Sequence, residues 1–169
     1  MVRIAPFSPE HADGVVSLIL PIQQHEFEIP ITLEAQPDLK DIPGFYQHGQ
    51  GNFWVALDGD SVVGTVALLD IGHDQGALRK MFVASSHRGA HHGVAAALLH
   101  TLLTWCRARD IRSVFLGTTA RFLAAHRFYE KNGFREISRE GLPPSFPVMV
   151  VDTKLYELQL HHADANLQS

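Results

Sequence analysis

The stretch Arg88-Gly89-Ala90-His91-His92-Gly93-Val94-Ala95 decides how this chain is read. It follows Met81-Phe82-Val83, an apolar run with the composition of a strand end. It leads into Val94, Ala95, Leu98, Leu99, Leu102, Leu103 and Cys106, which recur at helical spacing as one broad apolar stripe. A glycine-bearing loop between a strand and a helix N-terminus is suited to anions. Backbone N–H groups are unpaired there, and the helix dipole favours negative charge. Small residues at Gly89, Ala90, Gly93 and Ala95 let a phosphate approach the backbone, and Arg88 adds charge-assisted bonds. An ordinary strand-to-helix connection uses glycines for its turn too, so the loop alone does not select a ligand. It is not a Walker loop, because no Gly-Lys-Ser/Thr follows. Nor is it the dinucleotide fingerprint, whose spacing differs.

Downstream of the helix, Ile111 to Leu116 reads as a strand. Two strands flanking a helix imply a parallel crossover. A second helix is expected from about Arg121 to Lys131, closed by Asn132-Gly133 with glycine at the left-handed stop position. Phe134 to Ile137 reads as a strand, Gly141 to Pro147 as a proline-rich loop, and Thr153 to Leu160 as a last strand.

Upstream, Val2 to Phe7 reads as a first strand. Ser8-Pro9-Glu10 is a helix start, with Ser8 as cap and Pro9 at the first helical position. Ala12, Val15, Val16 and Ile19 continue it; Pro21 disturbs it and Pro30 ends it. Residues 30 to 50 read as irregular structure around one short helix near Asp38. Asn52 to Leu57, Val62 to Ile71 and Ala77 to Ala84 then form an antiparallel meander, turning at Asp58-Gly59-Asp60 and at Gly72 to Gly76. The sum is an α+β domain on a mixed sheet over residues 1–160, with a polar, frayed tail at 161–169.

The bulk numbers set bounds. A chain of 169 residues suits one domain with one sizeable core. Net charge is −4, from 14 Lys+Arg against 18 Asp+Glu, and no basic run is long enough to grip nucleic acid. The one cysteine excludes an intramolecular disulfide, and no apolar run approaches the roughly 20 residues needed to span a bilayer. The expectation is a cytoplasmic protein that acts on neither nucleic acid nor membrane.

The element that narrows the reading is Ala125-His126-Arg127-Phe128-Tyr129-Glu130-Lys131-Asn132-Gly133-Phe134. Together with the Arg88–Ala95 loop it resembles the GNAT superfamily of N-acetyltransferases. The first segment is similar to that family's acyl-CoA pyrophosphate loop, Gln/Arg-x-x-Gly-x-Gly/Ala. The second is similar to its Phe-Tyr-Glu-Lys-x-Gly-Phe helix end. The order of elements agrees from Val2 to about Leu160. The resemblance implies the GNAT (acyl-CoA N-acyltransferase) fold, a central mixed, mostly antiparallel, splayed sheet with helices on both faces. It also implies acetyl-CoA as co-substrate and direct transfer of its acetyl group to a primary amine, on a small-molecule or peptide acceptor. A monomer or homodimer without a metal is expected.

The implied site follows residue by residue. The backbone of Met81, Phe82 and Val83 would hold the pantetheine arm and polarise the thioester carbonyl. Arg88, with Gly89, Ala90, His91, His92, Gly93, Val94 and Ala95, would enclose the pyrophosphate. Family spacing places the Gln/Arg position at Ala90, so Arg88 stands two residues early and the loop is longer. His91 and His92 read first as surface residues. Tyr129 would be the general acid that protonates the departing thiolate, since a phenol with a pKa near 10 is protonated at neutral pH. Glu26 is a candidate base, alongside His25, Glu28, Asp70 and His73. Phe122 stands where many members have an asparagine that contacts the CoA arm; Thr118 or Thr119 could take its place. Trp54, Trp105 and Cys106 read as core. The competing readings are an acyl-CoA sensor of the same fold without turnover, and a nucleotide-phosphate binder of another fold.

Overall fold

The structure, a computed structural model, describes residues 1–120, 122–149 and 152–160. It opens with β1 (Val2–Pro6) and a 3-10 turn at Pro9–His11. Ser8 is extended, and its N–H donates to Nδ1 of His11 at 3.1 Å. An imidazole thus takes the part that Glu or Gln usually plays in a capping box. Helix α1 (Ala12–Pro21) buries Val15 and Ile19. At Pro21, which has no N–H for the ladder, it gives way to a π turn over Ile22–Glu26, closed by the Phe27 N–H on the Ile22 carbonyl.

Two short helices occupy the segment where one was expected. These are α2 (Pro37–Lys40) and α3 (Ile42–Tyr46). Asp41 divides them, its Oδ1 accepting from the Gly44 N–H at 3.0 Å. The meander is β2 (Asn52–Asp58), β3 (Ser61–Gly72) and β4 (Gln75–Val83). Gly59 (φ 62°) makes the first turn. Helix α4 (Val94–Ala108) follows. β5 (Ser113–Thr118) starts two residues later than expected, because the Ile111 N–H still bonds the Cys106 carbonyl at the helix end. α5 (Leu123–Lys131), β6 (Arg135–Ile137) and β7 (Lys154–Gln159) complete the order. The expected tail at 161–169 and the start of α5 at Arg121 lie outside the described residues.

The strands form one seven-stranded open sheet in the order β1-β2-β3-β4-β5-β7-β6. β1 and β2, β2 and β3, β5 and β7, and β6 and β7 pair antiparallel. β4 and β5 pair parallel, as the crossover through α4 requires. That pairing covers only Gln75–Ala77 against Ser113–Phe115 and stops.

The chain divides into two compact units. The first holds Met1–Leu69 and Arg79–Trp105. Its core joins Phe7, Val15, Ile19, Leu39, Ile42, Tyr46, Phe53, Val55, Leu57 and Ala67. Trp54 and Trp105 meet edge-on at 5.7 Å, and the Trp105 indole N–H donates to the Gln50 carbonyl. The second holds Asp70–Leu78 and the chain from Cys106. There Val114, Phe115, Leu116, Leu155 and Tyr156 are buried on the paired strands.

Gly64 of β3 lets α4 settle against the sheet. A Cβ there would lie 3.0 Å from Leu98 Cδ1, 3.1 Å from Val94 Cγ1 and 3.2 Å from Ala56 Cβ. Gly64→Val is expected to lower stability by about 1–3 kcal/mol through overpacking. Chemical denaturation of both proteins checks this; an unchanged midpoint would show that α4 is not seated on Gly64.

Candidate functional site

In the first unit, the decisive loop joins the end of β4 to α4. A 3-10 turn at Ser85–His87 precedes it. Gly89 (φ 104°) and Gly93 (φ 67°) take left-handed backbone that other residues rarely adopt. The Ala97 N–H bonds the Gly93 carbonyl, which opens the helix ladder. The amides of the first turn of α4 are left without intrahelical partners. Gly89, Ala90, His91 and His92 are exposed, while Met81, Phe82 and Val83 are half-buried. The imidazoles crowd together: His91 and His92 at 4.1 Å, and His87 and His92 at 5.8 Å. His87 Nε2 lies 2.8 Å from Asp58 Oδ2, and this bond holds the Asp58 carboxyl below its ordinary range. Among the described residues no group of three or more His, Cys, Asp or Glu is arranged to hold a metal.

Arg88 and Glu26 are brought together. Arg88 Nη1 lies 2.7 Å from Glu26 Oε1, and its Nε donates to the Val83 carbonyl at 2.8 Å. Beside this bridge the rings of Phe27 and Phe82 pack at 6.1 Å. The π turn is therefore docked on the end of β4 by one ion pair and one ring contact. Both charged side chains are partly exposed, at 42% and 39%, so the pair adds little stability.

Sequence reasoning missed a second feature of β4. Lys80 has φ 54°, left-handed backbone in the middle of a strand. Its ammonium is buried and bonded to Gln36 Oε1 at 2.7 Å and Asp38 Oδ2 at 3.4 Å. Tyr46 donates to the same Asp38 oxygen at 2.6 Å. Gln36 and Gln23 exchange side-chain hydrogen bonds at 2.9 and 3.0 Å. The Lys80 carbonyl accepts from the Thr65 hydroxyl at 2.7 Å. The signal that could have revealed this was a lysine set among the apolar strand residues Leu78, Met81, Phe82 and Val83. A buried cation needs a buried anion, and Asp38 beside Leu39 supplies one.

In the second unit, Tyr129 is fixed by the end of α5. The Phe134 N–H bonds the Tyr129 carbonyl at 3.0 Å and the Gly133 N–H bonds the Glu130 carbonyl at 3.2 Å. Gly133 has φ 95°. This is a Schellman motif, with its apolar contact made by the Tyr129 and Phe134 rings at 5.6 Å. The sequence from Tyr129 to Phe134 thus encodes the geometry that holds Tyr129 still. Its ring also packs on Tyr156 and Phe128. Burial pushes its phenol up to about 12, so it remains a proton donor at neutral pH. Among the described residues its hydroxyl has no hydrogen-bond partner. Burial likewise pushes the Cys106 thiol up to about 12, so nothing there makes a nucleophile. Phe122 is half-buried, and its carbonyl accepts from the His126 N–H. The Thr118 carbonyl is taken by Thr153, and the Thr119 carbonyl lies 2.8 Å from His126 Nε2.

The chain has 3 tyrosines, and the phenols of Tyr46, Tyr129 and Tyr156 are all pushed up, first by burial. Raised folded-state values favour the protonated form in the native protein. Stability is then full below the ordinary tyrosine value near 10 and falls as pH rises beyond it. Alkaline titration by ultraviolet difference absorbance should show tyrosinate only together with unfolding. A tyrosine ionising near pH 10 in the folded protein would contradict this packing.

Comparisons with known proteins bear on the family and the fold. The model of the Acetyltransferase (GNAT) family matches residues 18–134. N-acetylaspartate synthetase of Xenopus tropicalis is 34% identical over 128 residues, 73% of this chain and 46% of that protein. N-acetyltransferase 8F1 of Rattus norvegicus is 36% identical over 110 residues, 62% of this chain and 49% of that one. The chain spans about half or less of the length of these curated relatives. Among solved structures, an acetyltransferase of the GNAT family from Staphylococcus aureus Mu50 superposes with a TM-score of 0.90 at 35% identity. It covers 95% of this chain and 100% of that one. An N-acetyltransferase from Thermoplasma acidophilum in complex with coenzyme A shares the fold at a TM-score of 0.70 and 13% identity, over 95% and 99% of the two chains.

Proposed function

This chain belongs to the acetyltransferase (GNAT) family, and from that premise we propose that it transfers an acetyl group from acetyl-CoA directly to the primary amine of a small acceptor. The observation that carries the reading is the loop ahead of α4. Its two left-handed glycines and the open amides of a 15-residue helix fit a pyrophosphate. Arg88, His91 and His92 add cationic or hydrogen-bonding side chains around it. The backbone of Met81, Phe82 and Val83 is the proposed seat of the pantetheine arm. Acetyl-CoA supplies the activated acetyl group; the chain's part is to hold it and to manage protons.

Tyr129 is the proposed general acid. It keeps a proton on its hydroxyl for the sulfur that departs when the amine nitrogen bonds the acetyl carbon. Its raised pKa and the lack of a competing acceptor among the described residues support this role. Glu26 is the proposed base. Its Oε1 is bonded to Arg88, so Oε2 is the oxygen that would take the proton. The relatives named for N-acetylaspartate synthesis make small amino acids the first acceptors to try.

Release of free CoA from acetyl-CoA in the presence of amines is the direct test. Tyr129→Phe should lower kcat about 100-fold or more, within the span of general acid catalysis, while acetyl-CoA affinity by calorimetry stays unchanged. Tight acetyl-CoA binding without release by any amine would turn the reading to a carrier or sensor. Full kcat in Tyr129→Phe would remove the tyrosine from the mechanism.

A further inference from the structure

The left-handed backbone at Lys80 breaks the alternation of β4. Consecutive side chains, Arg79 and Lys80, therefore both meet the segment that carries α2 and α3. Lys80 reaches Asp38, which is bonded to Tyr46. The Arg79 guanidinium lies over the ring of Phe45, 5.8 Å from its centroid, and over that of Tyr46 at 6.0 Å.

Charge does not balance here. Two cations share this cluster with a single carboxylate, Asp38, and Lys80 uses it. The Arg79 charge opposes the Lys80 ammonium, whose pKa is lowered first by burial and then in part by this neighbour. Arg79 is itself half-buried. Among the described residues it makes no ion pair and no hydrogen bond; its guanidinium lies instead on two aromatic faces. A guanidinium has five donors in a planar fork that matches a carboxylate. Holding one half-buried, unpaired and beside a second cation is costly unless an anion arrives. Arg79 also stands two residues before Met81, where the proposed seat of the thioester begins.

We propose that Arg79, stacked on Phe45 and Tyr46, is the docking point for a carboxylate of the acceptor, so that the chain acetylates amines that also carry an acid group. This rests on the acetyl-transfer reading above and adds the chemical class of its second substrate. The stacked rings hold the guanidinium plane, and the acceptor's carboxylate neutralises the surplus charge.

The test compares L-aspartate and L-glutamate with aspartic acid diamide and spermidine as acceptors, for the native protein, Arg79→Gln and Arg79→Lys. The native protein should favour the two carboxylate amines. Arg79→Gln should lower kcat/KM for them by about 10- to 100-fold, the effect of losing charge-assisted hydrogen bonds, mostly through KM. Arg79→Lys should restore part of the loss, and acetyl-CoA affinity should not change in either variant. The proposal is overturned if the best acceptor lacks a carboxylate, or if Arg79→Gln affects acid and neutral acceptors equally. Failure of the native protein to bind acetyl-CoA would be a different result, against the acetyl-transfer reading itself.

Discussion

The buried pair of Lys80 and Asp38 is the constraint around which the first unit is arranged. Taking two charges out of water is expensive, and their attraction repays it only when every remaining donor and acceptor is satisfied. Here Gln36 bonds the ammonium, Tyr46 bonds the carboxylate, and Gln23 bonds Gln36 in turn. The consequence lies in geometry more than in net stability. Removing one member strands a charge, so the segment with α2 and α3 is committed to β4, and Lys80 to its left-handed backbone. Past that residue, Met81 to Val83 run toward the loop. Before it, Arg79 is turned onto Phe45 and Tyr46. One local break in a strand positions both the backbone proposed to hold the cofactor and the surplus cation.

The two helix ends carry the rest of the proposed chemistry by a shared logic. α4 begins with open amides after two left-handed glycines, and α5 ends with carbonyls closed by Gly133 and Phe134. An open N-terminus invites an anion, and a closed C-terminus immobilises a side chain. Tyr129 owes its fixed position to backbone bonds five and three residues long and to ring contacts with Phe128, Phe134 and Tyr156. Its high pKa follows from the same packing.

Much of this was legible in the sequence. Gly59 and the Gly72 region mark the meander turns, and the apolar stripe from Val94 marks α4. The parallel pairing of β4 with β5 follows from strand, helix, strand. The Tyr129–Phe134 segment announces its own cap. Other features left no such mark. The division of α2 from α3 depends on one Asp41 side chain. The late start of β5 depends on how far the end of α4 persists to Ile111. A lysine in left-handed backbone has no sequence signature, since that conformation ordinarily predicts glycine or asparagine. Missing it hid both the Lys80 network and the unpaired state of Arg79. The Arg88–Glu26 bridge joins residues 62 positions apart and was invisible for the same reason as any non-local pair.

The central claim is that the end of β4 and the loop into α4 hold acetyl-CoA. Amide hydrogen exchange of the protein with and without acetyl-CoA tests it most directly. The account predicts slowed exchange concentrated at Met81 to Val83 and at Gly89 to Ala95. Saturable binding that leaves those amides unchanged, or that protects a different part of the chain, would contradict it.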